Sequence, residues 1–233
     1  MYRAVIFDMF ETLVTLFEGR TYFGEDIAAD VGADPKDFRR EWHKIENDRS
    51  TGRYTIEEGL EIVLKTLGVY TPEKVKLAAG KRLEALGDTF SAIQPESVRL
   101  LDELKKKGIL IGLITNTFSD ERDLIRESIL FPYFDVTLIS YEQGMIKPDL
   151  RLYRMMTDKL GVRADECIYV GDGGSRELYA AREAGMHPVQ CTWFHERAFE
   201  PHIPCPILDE FEHADTVQDI IDMIENQDSN IML

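Results

Sequence analysis

The amino-acid sequence predicts an α/β fold: a parallel sheet flanked by helices in three layers, with an all-helical module inserted after the first strand. Three observations predict it. Short apolar runs alternate with amphipathic segments of helical spacing over most of the chain, the pattern of βαβ units. Those runs are apolar throughout rather than at every second residue, as in strands buried on both faces. The stretch from about Gly19 to Gly87 carries helix spacing and helix caps but no strand pattern.

The elements follow in order. Ala4-Val5-Ile6-Phe7 ending on Asp8 is the first strand. Within the insert, Asp26–Val31 has helical character, and Pro35 suits the first turn of a segment running to about Asp48. Thr55-Ile56-Glu57-Glu58 forms a capping box, with Ile62, Val63 and Leu67 at helical spacing after it. Thr71-Pro72 opens another helix. Beyond Pro95 an amphipathic segment from Glu96 ends near Gly108, where a glycine suits the end of a helix. Ile109–Ile114, Phe134–Ile139, Glu166–Val170 and Val189–Thr192 are four further strands. Helices are expected from Ser119, over Asp149–Leu160, over Glu177–Ala184 and, closing the chain, over Ala214–Glu225. Hinges are expected near Thr15–Gly19 and Gly87–Pro95.

The 233 residues are 44% hydrophobic and 30% charged, enough for a core under a well-solvated surface. No apolar run approaches the roughly 20 residues of a membrane span, and the N-terminus reads as a strand rather than a signal peptide. These features point to a cytoplasmic protein. Cys167, Cys191 and Cys205 form no CxxC pair, which argues against a zinc site or disulfide framework. Cys167 and Cys191 fall on strands and Cys205, between two prolines, in a loop. A net charge of −16 disfavours nucleic acid and anionic membrane as partners. An anionic small-molecule substrate then needs a locally positive site, which a metal ion, a lysine and a helix N-terminus can provide.

Parallel sheets bind ligands at the carboxyl ends of their strands. Four ends here carry polar residues. The first has Asp8, with Thr12 four residues on. The second has Thr115-Asn116. The third leads to Lys147, and the fourth to Gly171-Asp172-Gly173-Gly174, with Glu177 five residues after Asp172. Each has a plainer use: Thr115-Asn116 as a helix cap, Asp172 as a turn former, Glu177 as a first-turn acid. Two carboxylates side by side are electrostatically strained, and a hard divalent cation between them relieves the strain.

Taken together, the four ordered motifs resemble the haloacid dehalogenase superfamily of hydrolases, over about residues 1–14 and 93–225. The resemblance implies a Rossmann-like catalytic core of residues 1–14 and 93–233 and a helical cap of residues 15–92. It implies Asp8 as a covalent nucleophile, with Mg²⁺ held by Asp8, Asp172, the carbonyl of Phe10 and, directly or through water, Glu177. Lys147 would hold Asp8 and neutralise substrate charge. Thr115 and Asn116 would grip the transferring group, and Thr12 would bind the substrate with them. The reaction implied is Mg²⁺-dependent hydrolysis of a small phosphorylated metabolite, by a monomer or homodimer.

Two residues depart from the family's phosphatase pattern. Where those enzymes carry an acid two residues after the nucleophile, this chain has Phe10, which moves no proton. General acid–base catalysis is worth about 10²–10⁴-fold. The family's 2-haloacid dehalogenases have an aromatic residue there, and Tyr153 also matches a tyrosine of theirs. The metal-type fourth motif points the other way, toward phosphate. A 2-haloacid dehalogenase-like reaction and a non-catalytic phospho-ligand binder are the alternatives. Glu11 replaces a usual glycine, its side chain expected to point away from the site. In the insert Arg20, Tyr22, Arg40 and His43 can reach a substrate or serve only as surface and packing residues, and Trp42 is expected in the core.

Overall fold

A computed structural model describes residues 1–197 and 206–229. The chain opens with strand β1 (Ala4–Phe7) and then makes five helices: α1 (Gly24–Val31), α2 (Pro35–Lys44), α3 (Glu46–Ser50), α4 (Ile56–Thr66) and α5 (Pro72–Ser91). It continues through α6 (Pro95–Lys106), β2 (Leu110–Thr115), α7 (Ser119–Glu127), β3 (Val136–Ile139), α8 (Ser140–Gln143), α9 (Leu150–Leu160) and β4 (Cys167–Gly171). It closes with α10 (Glu177–Glu183), β5 (His187–Cys191), β6 (Glu212–Ala214) and α11 (Val217–Ser229).

The strands form one parallel sheet in the order β3-β2-β1-β4-β5-β6. The order reverses at β1, so the crevice beyond its carboxyl end is where such a sheet takes a ligand. Successive residues point to opposite faces of the sheet. Val5, Phe7, Ile168 and Val170 pack on α6 and α11 through Leu100, Leu101, Leu104, Ile220 and Ile221. Ala4, Ile6 and Tyr169 pack on α9 and α10 through Leu152, Tyr153, Met156 and Leu178. Burial on both faces is why these strands read as unbroken apolar runs.

Helices α1–α5 share a separate apolar cluster built on Ile27, Val31, Phe38, Leu60, Leu64 and Val75. Their starts are capped by side chains. Thr55 Oγ1 accepts from Glu58 N at 3.2 Å, and Glu58 Oε2 accepts from Thr55 N at 2.8 Å. Thr71 Oγ1 accepts from Lys74 N at 3.2 Å.

Four expectations change. The segment after Pro35 is two helices, broken at Ile45, not one. α5 runs unbroken through Gly87 to Ser91, so only Ala92–Gln94 separates it from α6. Ala214 ends a sixth strand, and the closing helix starts at Val217. Trp42 is half-buried, stacked on Phe38 with ring centroids 5.5 Å apart. Cys167 and Cys191 are buried strand residues as expected; Cys205 lies outside the described residues. Among the described residues no helix is long and apolar enough to cross a membrane.

Candidate active site

β1 lies between β2 and β4, with Phe7 level with Leu113 and Val170. The residues just beyond these three strands therefore meet. Asp8 N donates to Val170 O at 3.0 Å, which fixes the first carboxylate beside the end of β4. Lys147, from the loop after α8, reaches in from the side. Its Nζ lies 2.6 Å from Asp8 Oδ1 and 2.6 Å from Glu177 Oε2. Asp8, Asp172, Glu177 and Lys147 are all buried, and the three acids each offer an oxygen within 4.8 Å of the others.

With all three acids ionised, three carboxylates and one ammonium leave a formal charge of −2 in a buried space. Burial raises the pKa of Asp8; the Lys147 ammonium opposes this, while Asp172 adds to it. Glu177 is pushed up to about 8 by burial, against the pull of Lys147 and with the push of Asp8. Burial works against the Lys147 charge too, but Asp8 and Glu177 outweigh it and raise its pKa. An all-oxygen donor set with two uncompensated negative charges fits a hard dication.

Other residues hold these groups in place. Asp172 Oδ1 accepts from Gly174 N at 2.9 Å, and Asp172 O accepts from Gln190 Nε2 at 2.8 Å. Both Glu177 oxygens have donors: Oε2 accepts from Tyr169 OH at 2.8 Å and from Lys147, Oε1 from Gly173 N at 3.2 Å. Asn116 clasps the Lys147 backbone, its Oδ1 accepting from Lys147 N at 2.8 Å and its Nδ2 donating to Lys147 O at 3.4 Å. Asn116 Nδ2 also donates to Ser175 Oγ at 3.3 Å. Thr115 ends β2, buried. A cavity of about 360 Å³ opens here, lined by Asn116, Lys147, Ser175 and Arg176 on one side and Glu46, Asn47 and Ser50 of α3 on the other.

Asp8, Lys147, Asp172 and Glu177 thus come together, with Thr115 and Asn116 on the neighbouring strand end. Thr12 takes its contacts from the neighbouring strand. It is fully buried, its hydroxyl accepting from Cys191 Sγ at 3.5 Å and its carbonyl from Trp193 Nε1 at 2.8 Å, contacts that direct it to β5. The Phe10 ring stands edge-on to Phe90, centroids 6.3 Å apart. Glu11 is held within its own loop, accepting from Thr15 Oγ1 at 2.7 Å and Leu16 N at 2.8 Å. It adopts φ 54°, a left-handed conformation uncommon outside glycine, which explains the usual glycine there. Of the insert residues, Arg20 pairs with Asp88, Tyr22 with Asp30, Arg40 with Asp37, and His43 with Glu46.

Three supporting residues escape a reading of the sequence. Tyr169 has a signal, since a tyrosine in a buried strand must find its hydroxyl a partner. Gln190 has the same signal, a polar side chain within an apolar run. Gly171 has none: a Cβ there would lie 2.0 Å from Glu177 Oε1, so the strand end stays bare to admit that carboxylate.

Comparison with known proteins agrees with this architecture. The haloacid dehalogenase-like hydrolase family model matches residues 2–185, and the chain belongs to that family. A glyceraldehyde 3-phosphate phosphatase of Methanocaldococcus jannaschii is 30% identical over 136 residues, 57% of this chain and 56% of the relative. The chain spans about half the length of the first curated relatives it matches. A 2-haloacid dehalogenase of Pseudomonas syringae superposes with TM-score 0.68 at 21% identity, covering 97% of this chain and 100% of that one. A haloacid dehalogenase-family enzyme of Bacteroides thetaiotaomicron, solved with magnesium and inorganic phosphate, superposes with TM-score 0.57 at 17% identity, covering 82% and 94%. At these identities the two structures speak for the fold.

Proposed function

We propose that this hydrolase is a Mg²⁺-dependent phosphatase that cleaves a small phosphorylated metabolite, with Asp8 as nucleophile and α1–α5 as a cap over the site. The observation that carries the reading is Lys147 bridging Asp8 and Glu177 beside Asp172, a buried cluster two positive charges short of neutrality. The phosphatase relative supports the same chemistry.

Asp8, Asp172 and the Phe10 carbonyl would hold the ion, with Glu177 beside them directly or through water. Bound there, Mg²⁺ neutralises part of the charge on the phosphoryl oxygens and so lets an anionic nucleophile approach. Lys147 keeps Asp8 ionised and oriented. The Thr115 hydroxyl and amide steady the transferring oxygens, and Asn116, through its grip on Lys147, keeps the ammonium in place. An Asp8 oxygen bonds to phosphorus while the ester oxygen leaves with its bonding pair. Water then attacks the aspartyl phosphate, releasing inorganic phosphate and restoring the carboxylate. Phe10 supplies no proton to the departing oxygen, so good leaving groups should be favoured.

The test is hydrolysis of p-nitrophenyl phosphate, whose leaving group needs little acid help. Turnover should require Mg²⁺, stop with EDTA, and fall by at least 10³-fold in Asp8→Asn, in line with the large losses on removing a catalytic nucleophile. Full activity in Asp8→Asn would refute the nucleophile. Halide release from 2-chloropropionate that EDTA does not affect would favour carbon–halogen chemistry instead. Tyr153 argues against that outcome: it is fully buried and its hydroxyl donates to Glu177 O at 3.2 Å, a packing role rather than a substrate contact.

A further inference from the structure

Arg49, in α3, is a buried cation whose nearby acids, Glu121, Glu46 and Asp120, are held by other groups. It is 3% exposed, its Nε and Nη1 have no hydrogen-bond partner, and among the described residues it makes no ion pair. Its guanidinium lies 3.7 Å from the Trp42 ring centroid and 4.1 Å from that of Phe118. Stacking engages the faces of the guanidinium and leaves its N–H edge for a ligand.

The chain makes room for this side chain. Gly59 falls inside α4, where a glycine weakens the helix. A Cβ there would lie 2.9 Å from Arg49 Cδ and 3.4 Å from Trp42 Cζ3. A helix-weakening glycine and an unpaired buried charge, both unfavourable to stability, thus meet at one spot. Local rules broken in this way mark functional sites.

The acids around Arg49 are engaged elsewhere. Glu46 pairs with His43 at 2.7 Å. Glu121 Oε1 accepts from Arg82 Nη2 at 2.6 Å and its Oε2 from Phe118 N at 2.9 Å. Asp120 Oδ2 accepts from Arg82 Nε at 2.5 Å, and its Oδ1 is left without a partner. Burial lowers the Arg49 pKa to about 10, with nearby Arg82 adding to the effect and Glu121, Glu46 and Asp120 opposing it, so the guanidinium remains charged at neutral pH. Arg49, Trp42, Arg82 and Phe118 line a cavity of about 500 Å³. Glu46 and Phe118 line both this cavity and the one holding Lys147 and Asn116, so the two adjoin.

We infer that Arg49 binds a second anionic group of the substrate, a carboxylate or a further phosphate, remote from the phosphoryl group that is transferred. The inference rests on the phosphatase reading and narrows its substrates to phosphate esters bearing another negative group.

Binding of non-hydrolysable probes tests it without turnover. With Mg²⁺ present, 4-phosphonobutyrate, butane-1,4-bisphosphonate and butylphosphonate are titrated calorimetrically into wild type and Arg49→Met. Wild type should bind one of the two doubly anionic probes at least tenfold more tightly than butylphosphonate, and that probe identifies the group. Arg49→Met should bind all three alike. No preference in wild type, or a preference that survives in Arg49→Met, overturns the inference. A Trp193→Phe protein, whose one remaining tryptophan is Trp42, gives a readout with Arg49 intact. Its emission should change with the preferred probe and not with butylphosphonate; an unchanged emission counts against the site. Wild-type p-nitrophenyl phosphate turnover reads the phosphatase assignment separately. Absent turnover with the probe preference intact overturns that assignment and leaves the Arg49 site standing.

Discussion

Phe10 concentrates the chemical question at the residue scale. Its ring is half-buried and edge-on to Phe90, so it ties the loop after β1 to the last turn of α5. A side chain used in this way contributes packing where the family's phosphatases place a proton donor. Phe10→Asp should therefore trade stability for rate. Hydrolysis of an alkyl phosphate should rise by roughly 10–100-fold, the lower part of what a positioned acid contributes. Hydrolysis of p-nitrophenyl phosphate should change far less. Steady-state kinetics on the two esters decides it, and an equal change on both would mean that the missing acid is not what limits the enzyme. The nearby residues divide sharply in how legible they were. Asp8, Lys147, Asp172 and Glu177 could be nominated from one dimension because each follows a recognisable strand or glycine loop. Arg49 could not, because its significance lies in lacking a partner, and that depends on where Trp42, Phe118, Arg82 and Glu121 end up in space.

The same division runs through the elements. Thr55-x-x-Glu58 and Thr71-Pro72 announce α4 and α5 locally, since each cap is made by residues three apart. The short strand β6 is not announced: Glu212-His213-Ala214 is neither apolar nor alternating, and it forms by adding to the edge of β5. Attachment of α5 to α7 was equally hidden, because its members lie far apart in the chain. Arg82 Nε and Nη2 reach Asp120 at 2.5 Å and Glu121 at 2.6 Å, with side chains 14%, 3% and 7% exposed. Ser119 Oγ accepts from Ile56 N at 2.8 Å and adds a link to α4. Burial pushes the Glu121 pKa up to about 7 even with Arg82 pulling it down. Removing the cation would strand two buried acids, an arrangement that costs about 3–5 kcal/mol when one partner of a buried pair is lost. Arg82→Met should lower the urea-unfolding free energy by that amount. A second variant, Arg82→Met with Asp120→Asn and Glu121→Gln, should recover most of the loss. A loss below about 1 kcal/mol in the single variant would show that the pairing does little to hold α5 against α7.

At the scale of the whole molecule, the buried acids of the active site tie stability to pH. Without metal, Glu177 titrates near 8 in the folded state, against about 4.5 for an unperturbed glutamate. Between those values the folded protein binds a proton that the unfolded chain does not. Stability then falls as pH rises, since the slope follows the difference in protons bound. The raised pKa of Lys147 adds no slope in this window, because the ammonium is protonated in both states. A dication reverses the balance by favouring the ionised carboxylates, so binding should release protons and strengthen with pH. At a Mg²⁺ concentration 100 times its Kd, the folded state gains about 2.7 kcal/mol. Each kcal/mol moves Tm by roughly 2–4 °C for a chain of this size. Thermal melts with Mg²⁺ and with EDTA should therefore separate by several degrees at pH 8 and by less at pH 6, and Asp172→Asn should shrink the gap at both. A gap that is widest at pH 6, or that Asp172→Asn leaves untouched, would place the ion away from the carboxylates at the ends of β1 and β4.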